Sequence, residues 1–306
     1  MKKLLFLLLI CTLLCGCTAP AAETADGYTF TDDLGRQVTV NNPQRVAALL
    51  GSYADLWYLS GGEVCAAPAD AFEDFDLPLN ENTVNLGETK RLSLEALLAA
   101  QPDLVLASTN TSQHLEWQSA LEGAGVTVAY FDVSGFEDYL RMLKICTDIT
   151  GQPDRYEQYG TALEAEIDTI LQRHEGAQSQ SVLVLRASAS SIRAKNSSVA
   201  VLGEMLGSFG CVNIADSDET LLETLSLESI LLQNPDHIFI VQSGDDEAGT
   251  RKNIENLFSE NPLWQQLDAV KNGNVHIMDK HLFNLKPNSR WAESYEILEE
   301  ILYGEA

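Results

Sequence analysis

Positive charge is scarce in this sequence. Its 306 residues hold 19 Lys and Arg against 45 Asp and Glu, a formal net charge of −26. A surface this acidic repels a phosphate backbone, which argues against a nucleic-acid function and for a soluble chain. Cysteine is scarce as well. Of six, three fall within the first 17 residues, leaving Cys65, Cys146 and Cys211. An odd set at wide spacing is not a disulfide framework, and Cys146, on a helical pattern, reads as a small core residue. The five histidines, His114, His174, His237, His276 and His281, show no local metal-ligand spacing, which weighs against a zinc or manganese carrier. Gly-x-Ser-x-Gly, His-Glu-x-x-His, Cys-x-x-Cys and P-loop patterns are all missing, so an enzyme is the rival class without a motif to support it. With 45% hydrophobic and 21% charged residues, the composition is that of a globular chain long enough for two cores.

The N-terminus carries an address. Met1-Lys2-Lys3 is a charged opening and Leu4 to Leu14 an apolar run too short for a permanent membrane span. It ends in Leu14-Cys15-Gly16-Cys17, which resembles a bacterial lipobox. Residues 1–16 are then a signal peptide, Cys17 the lipidated first residue, and 17–26 a small, polar tether. Cys15 is a rival anchor, and Gly16 directly before Cys17 favours Cys17. The domain would sit lipid-anchored on the outer face of the cytoplasmic membrane.

The body of the chain is organised around a unit that occurs twice. Leu92-Ser93-Leu94-Glu95 and Leu225-Ser226-Leu227-Glu228 each open a helical run, and each is followed at the same distance by Pro-Asp, at 102–103 and 235–236, and then by an apolar strand. Serine caps the helix and proline stops it. A glutamate in the first helical turn is favoured by the helix dipole alone, by about 0.3–1 kcal/mol. Its recurrence half a chain later suggests two similar lobes, each presenting one acid.

Around these units the chain alternates strands and helices. Tyr28 to Val40 reads as a hairpin turning at Asp33-Leu34-Gly35-Arg36. Strand Val46–Leu50, helix Tyr53–Leu59, loop 66–82, strand Leu104–Ala107, a helix through Leu121, strand Val126–Phe131 and helix Phe136–Thr150 follow. After Gly151-Gln152-Pro153 a single helical pattern runs from Asp154 to about Glu175, long enough at ~1.5 Å per residue to cross a domain. A second set follows: strand Ser181–Leu185, loop 186–198, helix Val199–Phe209, the second repeat with strand His237–Val241, a short helix at 261–267, a last strand after Val270 and helix Arg290–Tyr303. The expected fold is α/β, two lobes with parallel-type sheets joined by one long helix, with a ligand cleft between the lobes. The expected boundaries are 27–150, 151–176 and 177–306.

Four motifs carry a resemblance to a known family. They are Asp33-Leu34-Gly35-Arg36 with Pro43-Gln44-Arg45-Val46, the doubled Leu-x-Leu-Glu…Pro-Asp unit, the mid-chain helix, and Asn261-Pro262-Leu263-Trp264 with Ala269-Val270-x-x-Gly273-x-Val275. In this order they resemble the substrate-binding lipoproteins of ABC importers for ferric siderophores, cobalamin and haem. The resemblance implies a monomer with little hinge motion that serves a permease dimer with its ATPase. It also implies that Glu95 and Glu228 dock permease arginines. No catalytic residue or resident cofactor is implied, and iron enters only within the ligand.

The ligand is expected beyond the carboxyl ends of the strands. Candidate contacts are Tyr53, Lys90, Arg91, Ser108, Asn110, Arg186, Arg193, Lys195, His281, Phe283, Lys286 and Arg290. Eight of the Lys and Arg, those at 90, 91, 186, 193, 195, 280, 286 and 290, fall in three predicted cleft loops, and the stretch from Arg186 to Ala200 has no acid. Some are solvated loop charges, Lys280 after Asp279 foremost. The enrichment in so acidic a chain points to an electropositive cleft for an anion. Ferric siderophore ranks first, haem second and cobalamin third, because the loops 87–91 and 215–223 lack the tryptophans that cobalamin members carry. His114 and His281 are open as iron ligands or as hydrogen-bonding residues.

Overall fold

The doubled unit folds the same way twice, and each copy is anchored by the same contacts. The structure, a computed structural model, describes residues 27–75, 77–244 and 246–304. Ser93 accepts the Ala96 N–H at 3.1 Å and starts the helix Leu94–Ala99. Ser226 accepts the Ser229 N–H at 3.4 Å and starts the helix Leu227–Gln233. Each helix cannot run on, because proline excludes the α region for the residue before it. In both copies that residue takes the left-handed conformation, Gln101 at φ 50° and Asn234 at φ 43°. The aspartate after the proline then grips the opening of its sheet. Asp103 accepts the backbone N–H of Gln44 at 2.7 Å and of Arg45 at 3.1 Å, and Asp236 accepts that of Ser181 at 2.7 Å. The repeat is therefore a strand-aligning device as well as a helix start.

A hairpin, β1 (Tyr28–Thr31) and β2 (Gln37–Val40), opens the described chain. Its turn is held by the buried Asp32, which accepts from Arg36 Nε at 3.0 Å and Nη2 at 2.6 Å. Five parallel strands follow: β3 (Val46–Ala48), β4 (Val64–Ala67), β5 (Val84–Asn85), β6 (Leu104–Ser108) and β7 (Thr127–Phe131), in the order β5-β4-β3-β6-β7. The second sheet contains β8 (Ser181–Ala187), β9 (Ile192–Ala194), β10 (Val212–Asn213), β11 (His237–Gln242) and β12 (Val275–Met278). Its order is β10-β8-β11-β12, all parallel, with β9 antiparallel on β8.

One helical rod, Pro153 to Gln172, connects the sheets. Its middle, Glu157–Thr161, widens to π geometry where Gly160 lies against Tyr156 and Leu140. It ends three residues short of the expected Glu175. The lobes also share a core. Phe136 packs edge-on against Trp291, with ring centroids 5.5 Å apart, and Tyr139 and Tyr295 join the same buried cluster. Asn288 donates Nδ2 to the Ser52 carbonyl at 2.8 Å and to Asp55 Oδ2 at 2.7 Å. Lys280 pairs with Asp74 at 2.8 Å, both side chains mostly buried.

Several elements differ from expectation. The loop 66–82 begins with the end of β4 and the helix Ala69–Glu73, and the first helix starts at Gly51, two residues early. The helix after β6 breaks at Trp117 into Ser112–Glu116 and Gln118–Gly123. The helix Glu247–Glu260 buries only Thr250 and Ile254, so it carries little apolar period to find. The loop 186–198 contains β9, and this reshapes the site.

Candidate ligand-binding site

β8 supplies the first cation of the site. Along it Val182 and Val184 join the core shared by the lobes, while Leu183, Leu185 and Ala187 join the outer core of the second sheet. Strand alternation places Arg186 on the shared side. β9 returns antiparallel and sets Arg193 directly opposite Arg186, which puts both side chains on one face. Lys195, two residues on, shares that face, and its N–H still pairs with the Val184 carbonyl at 2.9 Å. Ile192 and Ala194, which alternate with them, pack on the outer core.

Lys286 joins from the turn after the helix Lys280–Phe283. Burial, then the neighbouring Arg186, push its ammonium pKa down, and Asp132 at the end of β7 in the other lobe pushes it up. Burial also lowers Lys195, with Arg186 and Arg193 adding their charge, and burial lowers Arg186. Arg186 Nε is buried without a hydrogen-bond partner. Among the described residues Arg186, Arg193, Lys195 and Lys286 form no ion pair. Four unpaired cations on one wall, three of them partly desolvated, are a surface suited to an anion.

The facing lobe is polar. The exposed Asn110 donates to Asp132 Oδ1 at 2.6 Å, and Ser134 Oγ donates to the same atom at 3.1 Å. Lys90 and Asn110 line an open groove of about 610 Å³ with Thr89, Gln113 and Glu116. Lys90 and Arg91 are exposed at this rim. His281 is partly buried on the short helix Lys280–Phe283, its backbone N–H held by Asp279 at 2.8 Å.

Other candidates are corrected. Tyr53 is 1% exposed, donates its hydroxyl to the Phe131 carbonyl at 2.9 Å and packs edge-on against Phe131, so it is a core residue. The earlier helix start at Gly51 explains this, because it places Tyr53 within the first turn and not at a strand tip. Phe283 is 2% exposed and belongs to the shared core. Ser108 is buried, its Oγ accepting the Asn110 N–H at 3.1 Å to shape the turn. Arg290 is held by both oxygens of Glu293, at 2.6 and 2.7 Å, so its charge is already answered. His114 is fully buried and its Nδ1 accepts the Ser108 N–H at 3.0 Å, which removes it from any iron in the cleft. Glu95 and Glu228 are exposed in the first turns of the paired helices. Cys17, the signal segment and the tether lie outside the described residues.

The pairing of Arg186 with Arg193 escaped the sequence reading. The signal was present: Ile192-Arg193-Ala194-Lys195 alternates apolar and cationic residues, the period of a strand. Asn288 and the Lys280–Asp74 bridge, which tie the lobes, left no comparable pattern.

Two α/β lobes, one connecting helix and polar loops facing each other at the strand ends define a bilobal substrate-binding protein. The chain belongs to the periplasmic binding protein family, whose model matches residues 46–282. It is 22% identical over 284 residues to the Fe(3+)-citrate-binding protein YfmC of Bacillus subtilis, covering 90% of this chain and 87% of that protein. Its fold is similar to that of an ABC transporter substrate-binding protein from Listeria monocytogenes, with a TM-score of 0.71 at 19% identity, covering 85% of this chain and 99% of that one. It is also similar to Staphylococcus aureus SirA complexed with staphyloferrin B, with a TM-score of 0.66 at 21% identity, covering 90% and 97% of the two chains.

Proposed function

We propose that this protein captures an anionic ferric chelate, with a ferric siderophore of catecholate or carboxylate type first, and delivers it to the permease dimer of an ABC importer. The observation that carries the reading is the cationic wall formed by Arg186, Arg193, Lys195 and Lys286 in a chain of net charge −26. A surface of average composition here would be acidic. Retaining four mutually repelling cations on one wall is explained by a ligand whose oxygens complete them. The Fe(3+)-citrate-binding and staphyloferrin B-bound relatives support the same class of ligand. The protein's part is binding and delivery, with iron present only inside the ligand.

Cys17 is the proposed lipid anchor on the outer face of the cytoplasmic membrane. Among the described residues no helix is long and apolar enough to cross a membrane. Mass spectrometry of the mature N-terminus tests this; an unmodified chain that begins elsewhere refutes it. Glu95 and Glu228 are the proposed docking acids for permease arginines.

Calorimetric titration with ferric citrate, a ferric catecholate, haemin and cobalamin tests the ligand. Binding of an anionic ferric chelate in the micromolar range or tighter is expected. Haem is the second reading, because its two propionates suit the same cations; a Soret shift with haemin tighter than any ferric chelate would select it. Selective tight binding of cobalamin would overturn the proposal.

A further inference from the structure

We propose that each docking acid carries an apolar shoulder, Leu98 beside Glu95 and Leu232 beside Glu228, which inserts into an apolar pocket next to a basic residue on the permease. This rests on the docking role given to the two acids and extends it from charge to shape.

A single exposed leucine needs no explanation. These two each lie one helical turn beyond an acid, although at different steps of the repeat, where Leu231 and Ala99 are their counterparts. Leu98 follows Glu95 by three residues and Leu232 follows Glu228 by four, so each lies on the helix face of its acid. Neither is needed by the protein's own core. The inward anchors of the two helices are Leu97 and Ile230, both fully buried. Leu98 is 37% exposed and Leu232 87%, the most exposed of the large hydrophobic residues described. The helix sequences Leu94–Ala99 and Leu227–Gln233 contain no Lys or Arg, so each face offers an acid and a leucine with no cation to neutralise it.

The charge on these faces selects the occupant. A second copy of the chain would set acid against acid. A bilayer with anionic headgroups would repel the same glutamates. A basic partner with an apolar recess satisfies both groups at once. The two shoulders are unequal. Leu232 is far more exposed than Leu98, and Leu263, 43% exposed, lies on the neighbouring turn Pro262–Gln266 that packs against the second helix. The second lobe therefore makes the larger apolar contact.

The test uses the lipid-free, full-length folded protein, fluorescently labelled, and the source organism's permease–ATPase complex in nanodiscs. Leu232→Ser is expected to weaken association about tenfold or more and Leu98→Ser by less, the direction expected when a leucine no longer leaves water. Ferric-chelate affinity and thermal midpoint should not change. Leu34→Ser, at an exposed leucine in the hairpin turn, is the control and should associate normally. Wild-type association by both leucine variants, with association lost in Glu95→Arg and Glu228→Arg, would overturn the shoulders and leave the acids standing. Normal association by the glutamate variants as well would overturn the docking reading itself.

Discussion

Arg186 and Arg193 stand directly opposite each other across the antiparallel pair of β8 and β9, like charges on one face of the sheet. Such a pair is destabilising by itself. Lys195 and Lys286 add to the repulsion, and no acid among the described residues pairs with any of the four. A bound anion would offset this repulsion, so under the proposed function free-state strain in the wall is relieved by the ligand.

Proton uptake should accompany binding in alkaline solution. Lys195 and Lys286 have ammonium pKa values held down by burial and by the neighbouring arginines. An anion raises both, so the complex binds protons that the free protein has lost. Affinity should therefore fall as pH rises through the free-state pKa values. Calorimetry in two buffers of different ionisation enthalpy at alkaline pH would show the uptake; identical heats would contradict it.

Acid should weaken the first lobe through His114. Burial lowers its pKa to about 4 from 6.5. The unfolded chain thus takes the proton first, so the stability is whole above pH 6.5 and is lost as pH falls toward 4. The shift is worth about 3 kcal/mol at 1.36 kcal/mol per unit. Denaturant titrations at pH 7.5 and 4.5 should show a larger acid loss for the wild type than for His114→Asn. Equal losses would exclude His114 as the cause.

Asn288 should hold the lobes together. It is buried in the left-handed region at φ 52° and donates to both Ser52 and Asp55. Burial already raises the Asp55 pKa and this hydrogen bond lowers it. Asn288→Ala should cost about 1–3 kcal/mol, the range for leaving a buried polar group unpaired. It should also raise hydrogen exchange in the helix Gly51–Leu59. An unchanged unfolding midpoint would contradict this.

Charge reversal at the proposed docking acids should separate binding from transport. Glu95 and Glu228 sit in the first turns of their helices and are not part of the cationic wall, so Glu95→Arg and Glu228→Arg should leave ferric-chelate affinity within about twofold, a fraction of one kcal/mol. Uptake by cells carrying either variant should be abolished, because like charges at such a contact cost several kcal/mol. Normal uptake by both would reduce the acids to helix-start residues.

What the sequence disclosed was what repeats or alternates. The helix Phe136–Thr150 has the expected bounds, since its apolar stripe is strong and Gly151 ends it at φ 67°. The doubled unit led to two lobes because Ser93 and Ser226 cap, and Pro102 and Pro235 stop, by local chemistry. Within the site, the clustering of Arg186, Arg193, Lys195 and Lys286 was visible as charge against an acidic background. Contacts made across the fold were not visible. Arg290 reads as a free cation until Glu293, one helical turn on, is seen to hold it, and Tyr53 reads as a strand-tip residue until the helix start moves by two.

The central claim is that the wall formed by Arg186 and its neighbours holds an anionic ferric chelate. The most direct measurement is the affinity of wild type, Arg186→Ala and Arg186→Ala with Arg193→Ala for the tightest chelate in the panel, at low and high salt. Loss of each arginine should cost about 1.5–3 kcal/mol, the scale of a hydrogen bond to a charged group, or roughly tenfold to just over a hundredfold in Kd. Thermal midpoints should hold or rise as the repulsion is relieved. An affinity indifferent to removing both arginines would contradict the account.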